Sequence, residues 1–387
     1  MTMSTQQIYQ LATEERKQQN RLRELRSLAT TGGAKILLED GRELINFASN
    51  DYLGLTQHPQ LKKRAIEYTE KYGAGLGSSR LVSGNLDLYE RIERKLANFK
   101  GTEAALLLAS GYQTNSTVLA ALGRKQTLIA SDHENHNSIM LGMQLSQGRW
   151  HRYEHNDLDH LESLLAKDDD LSKWIVSESV FSMDGDISDI EALSRLATRY
   201  DAAMYIDEAH ATGVLGPQGR GLSYGVDGVT IAMGTFSKAM GSFGAYIACS
   251  HVMKQYLVNF CSGLIYSTAL PPSVLGAIDA SLDVIGDMER ERAELLERSS
   301  NLRQALNSLG LSTGKSSTQI IPIITGSDKD AISLSRHLEQ NGILAPAIRP
   351  PTVPDGAARV RLSLTAAHED EHIQHLLECL KRWRTHG

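Results

Sequence analysis

Apolar positions are sparse and unevenly spaced over the first hundred residues. Residues 6–28 read as a charged helix whose thin apolar stripe runs through Ile8, Leu11, Leu22 and Leu25. That stripe is too narrow to form a core, so the helix is expected to lie on another surface. KILLEDGRELINFAS follows as a strand pair with Asp40-Gly41 in its hairpin turn. Leu88, Ile92, Leu96 and Phe99 then recur at helical spacing, and Gly101 stands where a left-handed terminal glycine belongs.

From about residue 104 the pattern changes. Short apolar runs, AALLLAS, TLIAS, KWIVSES, AAMYIDE, VTIAMGT and GAYIACS, alternate with amphipathic stretches. Runs apolar on both faces suit buried parallel strands, and the stretches between them are long enough for crossover helices. Pro271-Pro272 opens a long helix that continues, with breaks, through DMERERAELLERSSNLRQALNSLG. The loop LSTGKSSTQ, the strand IIPIIT, a helix near Lys329–Asn341, the strand ARVRLSL and a final amphipathic helix complete the chain. The pattern predicts an α/β fold, with a large domain on an open, mostly parallel sheet and a smaller α+β C-terminal domain. The expected divisions are an N-terminal helix with short strands over 1–48, the large domain over 49–285 and the small domain over 286–387.

A length of 387 residues accommodates both domains. With 41% hydrophobic and 22% charged residues and a net charge of −6, the balance favours neither nucleic acid nor an acidic membrane surface. Cys249, Cys261 and Cys379 have no CxxC spacing, which suits a reducing compartment better than a disulfide framework or a zinc cluster. The N-terminal stretch lacks the apolar segment of a signal peptide, and no window approaches a membrane span. A cytoplasmic protein is expected.

The polar residues at the carboxyl ends of the runs narrow the chemistry. Ser110-Gly111-Tyr112 follows the first run, Asp132 through His136 the second, and Glu178 and Ser182 the third. Asp207 and His210 follow the fourth, and Thr235 through Lys238 the fifth. Ligands of open α/β sheets bind outside these ends, so the residues are expected to converge on one crevice. Loop polarity accounts for any one of them but poorly for the series. Asp207 closes an apolar run, where a carboxylate is costly without a cationic partner. A protonated pyridine nitrogen is such a partner, and His136 on the neighbouring loop is placed to stack on its ring. Ser110-Gly111-Tyr112 opens a helix whose backbone N–H groups suit a phosphate. Lys238, flanked by small residues in GTFSKAMG, suits an aldehyde-binding amine of lowered basicity. Together these features describe a pocket for pyridoxal 5′-phosphate (PLP).

Other motifs point elsewhere. Asp207-Glu208-Ala209-His210 spells the DEAH of nucleic-acid helicases, but the phosphate loop it requires upstream is missing. The nearest match, Gly310 to Ser316, is one residue short and lies downstream. His368-Glu369-Asp370-Glu371-His372 is a literal H-E-x-x-H of zinc proteases. Its acidic start, its Lys381-Arg382 end and the packing face of Ile373, Leu376, Leu377 and Leu380 fit a solvated, dipole-matched helix start better. No metal site is expected. A dinucleotide fold is not expected either, since no G-x-G-x-x-G follows the first run.

At these residues the chain resembles the α-oxoamine synthases, fold-type I PLP enzymes that join an amino acid to an acyl thioester with loss of CO2. The resemblance runs from about Leu11 to Leu380. It is carried by NFASNDYLGL, SSRLVSG, HNDLDHLE, SVFSMDGD, IDEAHATGVLGPQGRG, TFSKAMGSFGA, IYSTALPP and AIRPPTVPDGAARVRLSLTAAH. It implies Lys238 as the Schiff-base lysine and proton-transfer base, His136 as the stacking residue and Asp207 as the pyridinium partner. His210 is implied at the cofactor's phenolic oxygen, with Glu178 and Ser182 lining the pocket. Thr235 and the backbone of Gly111 and Tyr112 are implied at the phosphate. Ser267 and Thr268 are implied to reach the phosphate of the other subunit, hence a homodimer with sites at its interface. Asn50 and Arg361 resemble the amino-acid carboxylate site, and Arg349 and Arg23 the pair for an acidic acyl chain, with Arg21 or Arg26 as alternatives to Arg23. AIRPPTVP and SSRLVSG imply L-alanine and a pimeloyl thioester as substrates, carried on coenzyme A or on acyl carrier protein. Glycine with acetyl-CoA is the alternative within the family. A non-catalytic PLP-binding protein and a zinc peptidase are the alternatives from other classes.

Overall fold

In the computed structural model, which describes residues 3–167 and 170–386, α1 (Thr5–Gln18) opens the chain. Ser4 caps it through a capping box with Gln7, and Asn20 takes a left-handed backbone at φ 57° just after its end. The helix expected to reach residue 28 therefore stops at Gln18, and Leu22 and Leu25 lie in irregular chain. No residue of α1 is buried, so no packed apolar face carries the helix further. β1 (Leu28–Gly32), β2 (Lys35–Leu38) and β3 (Glu43–Asn46) follow, with β2 and β3 paired as a hairpin. Its turn contains Gly41 at φ 84°. Then come α2 (Pro59–Tyr72) and α3 (Asp87–Lys100), the latter closed by Gly101 in the left-handed region.

The central stretch alternates β4 (Ala104–Leu108), α4 (Gly111–Leu122), β5 (Thr127–Asp132), α5 (Asn137–Leu145), β6 (Arg149–Tyr153) and α6 (Leu158–Leu165). It continues with β7 (Ser172–Glu178), α7 (Ile190–Arg199), β8 (Ala202–Asp207), β9 (Val229–Thr235) and β10 (Ala245–Cys249). These strands form one sheet in the order β4-β10-β9-β8-β7-β5-β6. Every pair is parallel except those of β10, which runs antiparallel to β4 and β9. GAYIACS thus reverses the direction expected of it. The turn between Thr235 and Ala245 is too short for a crossover helix and can only return the chain. The edge strand β6 escapes a search for two-sided apolar runs because its first four residues stay exposed or half-buried. Alternate side chains face opposite helix layers: Tyr205 packs with Val118 and Leu119 of α4, whereas Met204 and Ile206 pack with Leu161 of α6 and Leu193 of α7. This unit spans Asn50–Ser182 and Asp186–Leu296, and so includes α8 (His251–Phe260), α9 (Ser262–Ile265) and α10 (Pro272–Val284).

α11 (Glu289–Ser308) runs on into a second unit, made of the residues up to Ser49, Met183–Gly185 and the chain from Glu297. Its strands are β11 (Ile320–Gly326), β12 (Ile343–Leu344), β13 (Ala347–Ile348) and β14 (Ala358–Ser363). Its later helices are α12 (Asp328–Gln340) and α13 (Asp370–His386). The N-terminal strands join this unit because β3 pairs in parallel with β12. Met183–Gly185 joins it because Gly185 O accepts from Ser317 N–H and Thr318 Oγ1 at 3.0 and 2.9 Å. Only glycine fits there: φ is +69°, and a Cβ would fall 2.0 Å from Ile320 O.

One expectation fails in this unit. His368 is not on a solvated helix start. It precedes α13, is 1% exposed and stacks on Phe47 with centroids 4.3 Å apart. Burial lowers its pKa to about 4. Only His372 lies on the helix, so the two histidines are not paired on one helical face as H-E-x-x-H zinc sites require. No helix among the described residues is long and apolar enough to cross a membrane.

Candidate active site

β4, β5, β7, β8 and β9 all run the same way, so their carboxyl ends share one edge of the sheet. The polar residues picked out after these runs therefore gather along that edge. Ser110 caps α4, its Oγ accepting from Gln113 N–H at 3.3 Å. Gly111 opens the helix facing β9, where a Cβ would lie 3.4 Å from Met233 Cε and 3.8 Å from Thr235 Cβ. Thr235 Oγ1 donates to Gly244 O at 2.9 Å. A helix N-terminus, a side-chain-free glycine and a threonine hydroxyl together make a cradle that fits a phosphate. Tyr112 is half exposed, donates to Asn137 Oδ1 at 3.1 Å and meets the His136 ring edge-on at 6.2 Å.

His136 caps α5, and its backbone N–H donates to Glu178 Oε1. Desolvation lowers the pKa of His136. Burial, reinforced by the negative charge of Asp207, raises that of Glu178 well above the usual carboxylate range. Ser182 is half-buried in the turn after β7.

Asp207 is 4% exposed. Its Oδ1 accepts from Ala209 N–H at 2.8 Å and its Oδ2 from Asn115 Nδ2 at 2.7 Å. No cationic side chain of the described residues forms an ion pair with it. A buried carboxylate held by two neutral donors fits a protonated ring nitrogen, which supplies the missing charge.

Lys238 Nζ lies 2.7 Å from His210 Nε2, and His210 Nδ1 lies 2.6 Å from the hydroxyl of Tyr52. That hydroxyl donates to Asn50 Oδ1 at 3.2 Å. One proton order satisfies all three contacts: Lys238 donates to Nε2, Nδ1–H donates to Tyr52, and Tyr52 donates to Asn50. Ser267 Oγ accepts from Gln113 Nε2 of its own chain at 2.5 Å, and Thr268 forms a β-bridge with Ser79.

The remaining candidates lie in the second unit. Arg21, Arg23, Arg349 and Thr352 line a cleft of about 80 Å³. Arg21 pairs with Asp328 and Asp355 at 3.2 and 2.5 Å, and Arg26 with Glu339 at 2.5 Å. Arg23 instead donates to Thr352 Oγ1 at 3.1 Å, and Arg349 donates to Asn20 O. Neither Arg23 nor Arg349 meets a carboxylate among the described residues. Arg361 is buried on β14 and donates to Ser363 Oγ at 2.7 Å.

Four residues of this network were not picked out from the chain alone: Tyr52, Asn115, Ser138 and Tyr205. Asn115 carried a signal, since it sits in the polar run 113–117 of a helix whose second half is apolar, and Thr114, Asn115 and Ser116 of that run are buried. The others give none without the fold: Tyr205 in its strand reads simply as core, and Tyr52 in a turn and Ser138 on α5 show nothing locally of the partners they meet.

The chain matches the Aminotransferase class I and II family over residues 42–380, which with this sheet and strand-end site places it among the fold-type I PLP-dependent enzymes. A serine palmitoyltransferase solved with PLP as an internal aldimine superposes with a TM-score of 0.92 at 25% identity over 98% of both chains. More specific likenesses lie within that class. The chain is 52% identical to 8-amino-7-oxononanoate synthase of Gluconacetobacter diazotrophicus over 92% of each chain. It is 48% identical to a putative one of Desulfosudis oleivorans over 99% of this chain and 100% of that one. The crystal structure of 8-amino-7-oxononanoate synthase from Francisella tularensis matches at a TM-score of 0.78, with 28% identity over 89% of this chain and 98% of that one. This chain belongs to the 8-amino-7-oxononanoate synthase family of α-oxoamine synthases.

Proposed function

We propose that this protein uses PLP to condense L-alanine with a pimeloyl thioester, giving 8-amino-7-oxononanoate, CO2 and the free thiol, a step of biotin biosynthesis. The observation that carries the reading is the buried Asp207 carboxylate, in no ion pair among the described residues, on the sheet edge that also bears the Lys238–His210 pair. When bound, PLP supplies an electrophilic aldehyde and a ring that delocalises an electron pair. Asp207 would hold the ring nitrogen, His136 the ring face, Lys238 the aldehyde, and Gly111, Tyr112 and Thr235 the phosphate. His210 would hold the phenolic oxygen, and Glu178 and Ser182 would close the pocket wall.

Lys238, hydrogen-bonded to His210, takes the Cα proton of alanine. The electron pair left at Cα forms a bond to the thioester carbonyl carbon, and the thiol leaves with its own pair. The carboxylate then departs as CO2, and a proton returns to Cα. Asn50 and Arg361 serve the alanine carboxylate. Arg23 and Arg349, the two cations of their cleft that meet no carboxylate among the described residues, serve the far end of the pimeloyl chain. Ser267 and Thr268 complete the phosphate site of the partner in a cytoplasmic homodimer. Lys238→Ala is expected to abolish turnover and the visible absorption of the lysine-bound cofactor, with an unchanged circular dichroism spectrum. Near-wild-type turnover in that variant would refute the reading.

A further inference from the structure

We propose that Asn115 is a positioning residue that joins Asp207 to His136, its one amide holding both the carboxylate and the serine whose contacts set the tautomer of the imidazole. The placement follows from the fold. Side chains 205 and 207 of β8 point to the same face of the sheet, and α4 covers that face with Val118 and Leu119 against Tyr205. Asn115 lies one helical turn before them, so its amide reaches both strand residues. It is 2% exposed, a site where an amide is costly unless fully bonded.

The directions of the bonds are determined. An ionised carboxylate only accepts, so Asn115 turns Nδ2 to Asp207 Oδ2, at 2.7 Å. Its Oδ1 then faces Tyr205, whose hydroxyl donates to it at 2.6 Å. Burial raises the Tyr205 phenol well above its ordinary pKa, which keeps it a donor. The second Nδ2 proton reaches Ser138 Oγ at 3.0 Å. Ser138 Oγ also lies 2.7 Å from His136 Nδ1, and because that nitrogen accepts from the Ser138 backbone, the hydroxyl turns its own proton to it. The backbone N–H of Ser138 points to the same nitrogen at 3.3 Å. Nδ1 is thus an acceptor twice over, and the single proton of the neutral ring sits on Nε2. That tautomer leaves a stacked His136 able to donate to a substrate oxygen through Nε2.

The functional meaning of the pair rests on the PLP reading above, but the tautomer does not, and the test separates the two. Long-range 1H–15N spectra of the cofactor-free protein, labelled in histidine and assigned with His136→Asn, should show His136 as the Nε2–H form. Ser138→Ala and Asn115→Leu should each convert it to a mixture of tautomers. Titration of the cofactor-free proteins with PLP should show affinity lowered about ten- to a hundredfold in Asn115→Leu, the effect of one lost hydrogen bond to a charged group. Tyr205→Phe, which keeps the ring and only frees the amide, should lower it less. An Nδ1–H ring in the wild type, or a tautomer unmoved by Ser138→Ala, overturns the proposal. Ser138→Ala and Tyr205→Phe carry the test even if Asn115→Leu does not fold. Failure of the wild type itself to bind PLP is a distinct result, and it strikes the functional reading instead.

Discussion

Replacing His155 by glutamine should lower thermal stability strongly near pH 7 and hardly at all above pH 10. The imidazole bridges two buried carboxylates, with Nδ1 2.9 Å from Asp132 Oδ1 and Nε2 2.7 Å from Asp186 Oδ2. Burial opposes its charge, but the hydrogen bonds to Asp132 and Asp186 outweigh that and raise its pKa to about 10. Because the folded pKa lies above the unfolded one, ~6.5, the stabilisation is complete below that value and is lost as pH rises through about 10. At ~1.36 kcal/mol per pH unit the gap is worth ~5 kcal/mol at most. With 22% of the side chain exposed, solvent screening brings the expectation to ~2–3 kcal/mol. For a domain of this size that is ~5–10 °C in Tm. Melts of cofactor-free wild type and His155→Gln from pH 6.5 to 10.5 at constant ionic strength measure it, since other titrations cancel in the difference. A difference that stays flat across that range would refute the reasoning. The effect bears on function, because Asp132 and Asp186 lie in the segments that carry His136 and Ser182.

Two further expectations concern charges. Arg23→Ala should raise the KM for a pimeloyl thioester by about ten- to a hundredfold with kcat little changed, as loss of a carboxylate-binding guanidinium implies. Arg21→Ala and Arg26→Ala, whose guanidinium groups already face carboxylates, should change it by less than about threefold, and steady-state kinetics with the reverse order would move the assignment. Glu93→Ala should cost ~3–5 kcal/mol in denaturant unfolding. Glu93 is 2% exposed, and its carboxylate accepts from Arg80, Lys254 and the backbone of Leu107 at 2.6, 2.7 and 2.9 Å. A loss below ~1 kcal/mol would contradict that account.

The sheet was legible because its strands are buried on both faces and its turns are polar, so each run from AALLLAS to GAYIACS stands out from the helices between. Strand direction was not carried by composition: β10 is as apolar as its neighbours, and only the length of the turn before it reveals the reversal. Nor was the end of α1 visible, since charged residues suit helix and irregular chain alike. The strand-end residues could be read because each follows an apolar run. Tyr205 and Ser138 could not, and the polar run around Asn115 did not show its target, because their role arises where α4, β8 and α5 meet, a junction that no local pattern encodes. The solvated helix start expected at His368–His372 failed in a different way: its first histidine is held off the helix by the turn in which Thr365 N–H donates to His368 Nδ1 at 2.9 Å.

The central claim concerns which acid and which acyl group meet at Lys238, and product analysis tests it most directly. Purified protein with PLP is incubated with L-alanine and pimeloyl-CoA or pimeloyl-acyl carrier protein, and in parallel with glycine and acetyl-CoA, and the products are identified by mass spectrometry. The account predicts 8-amino-7-oxononanoate, with one CO2 released per thiol, from the first mixture and negligible condensation in the second. Efficient turnover of glycine with acetyl-CoA, with none of alanine with either pimeloyl thioester, would contradict it.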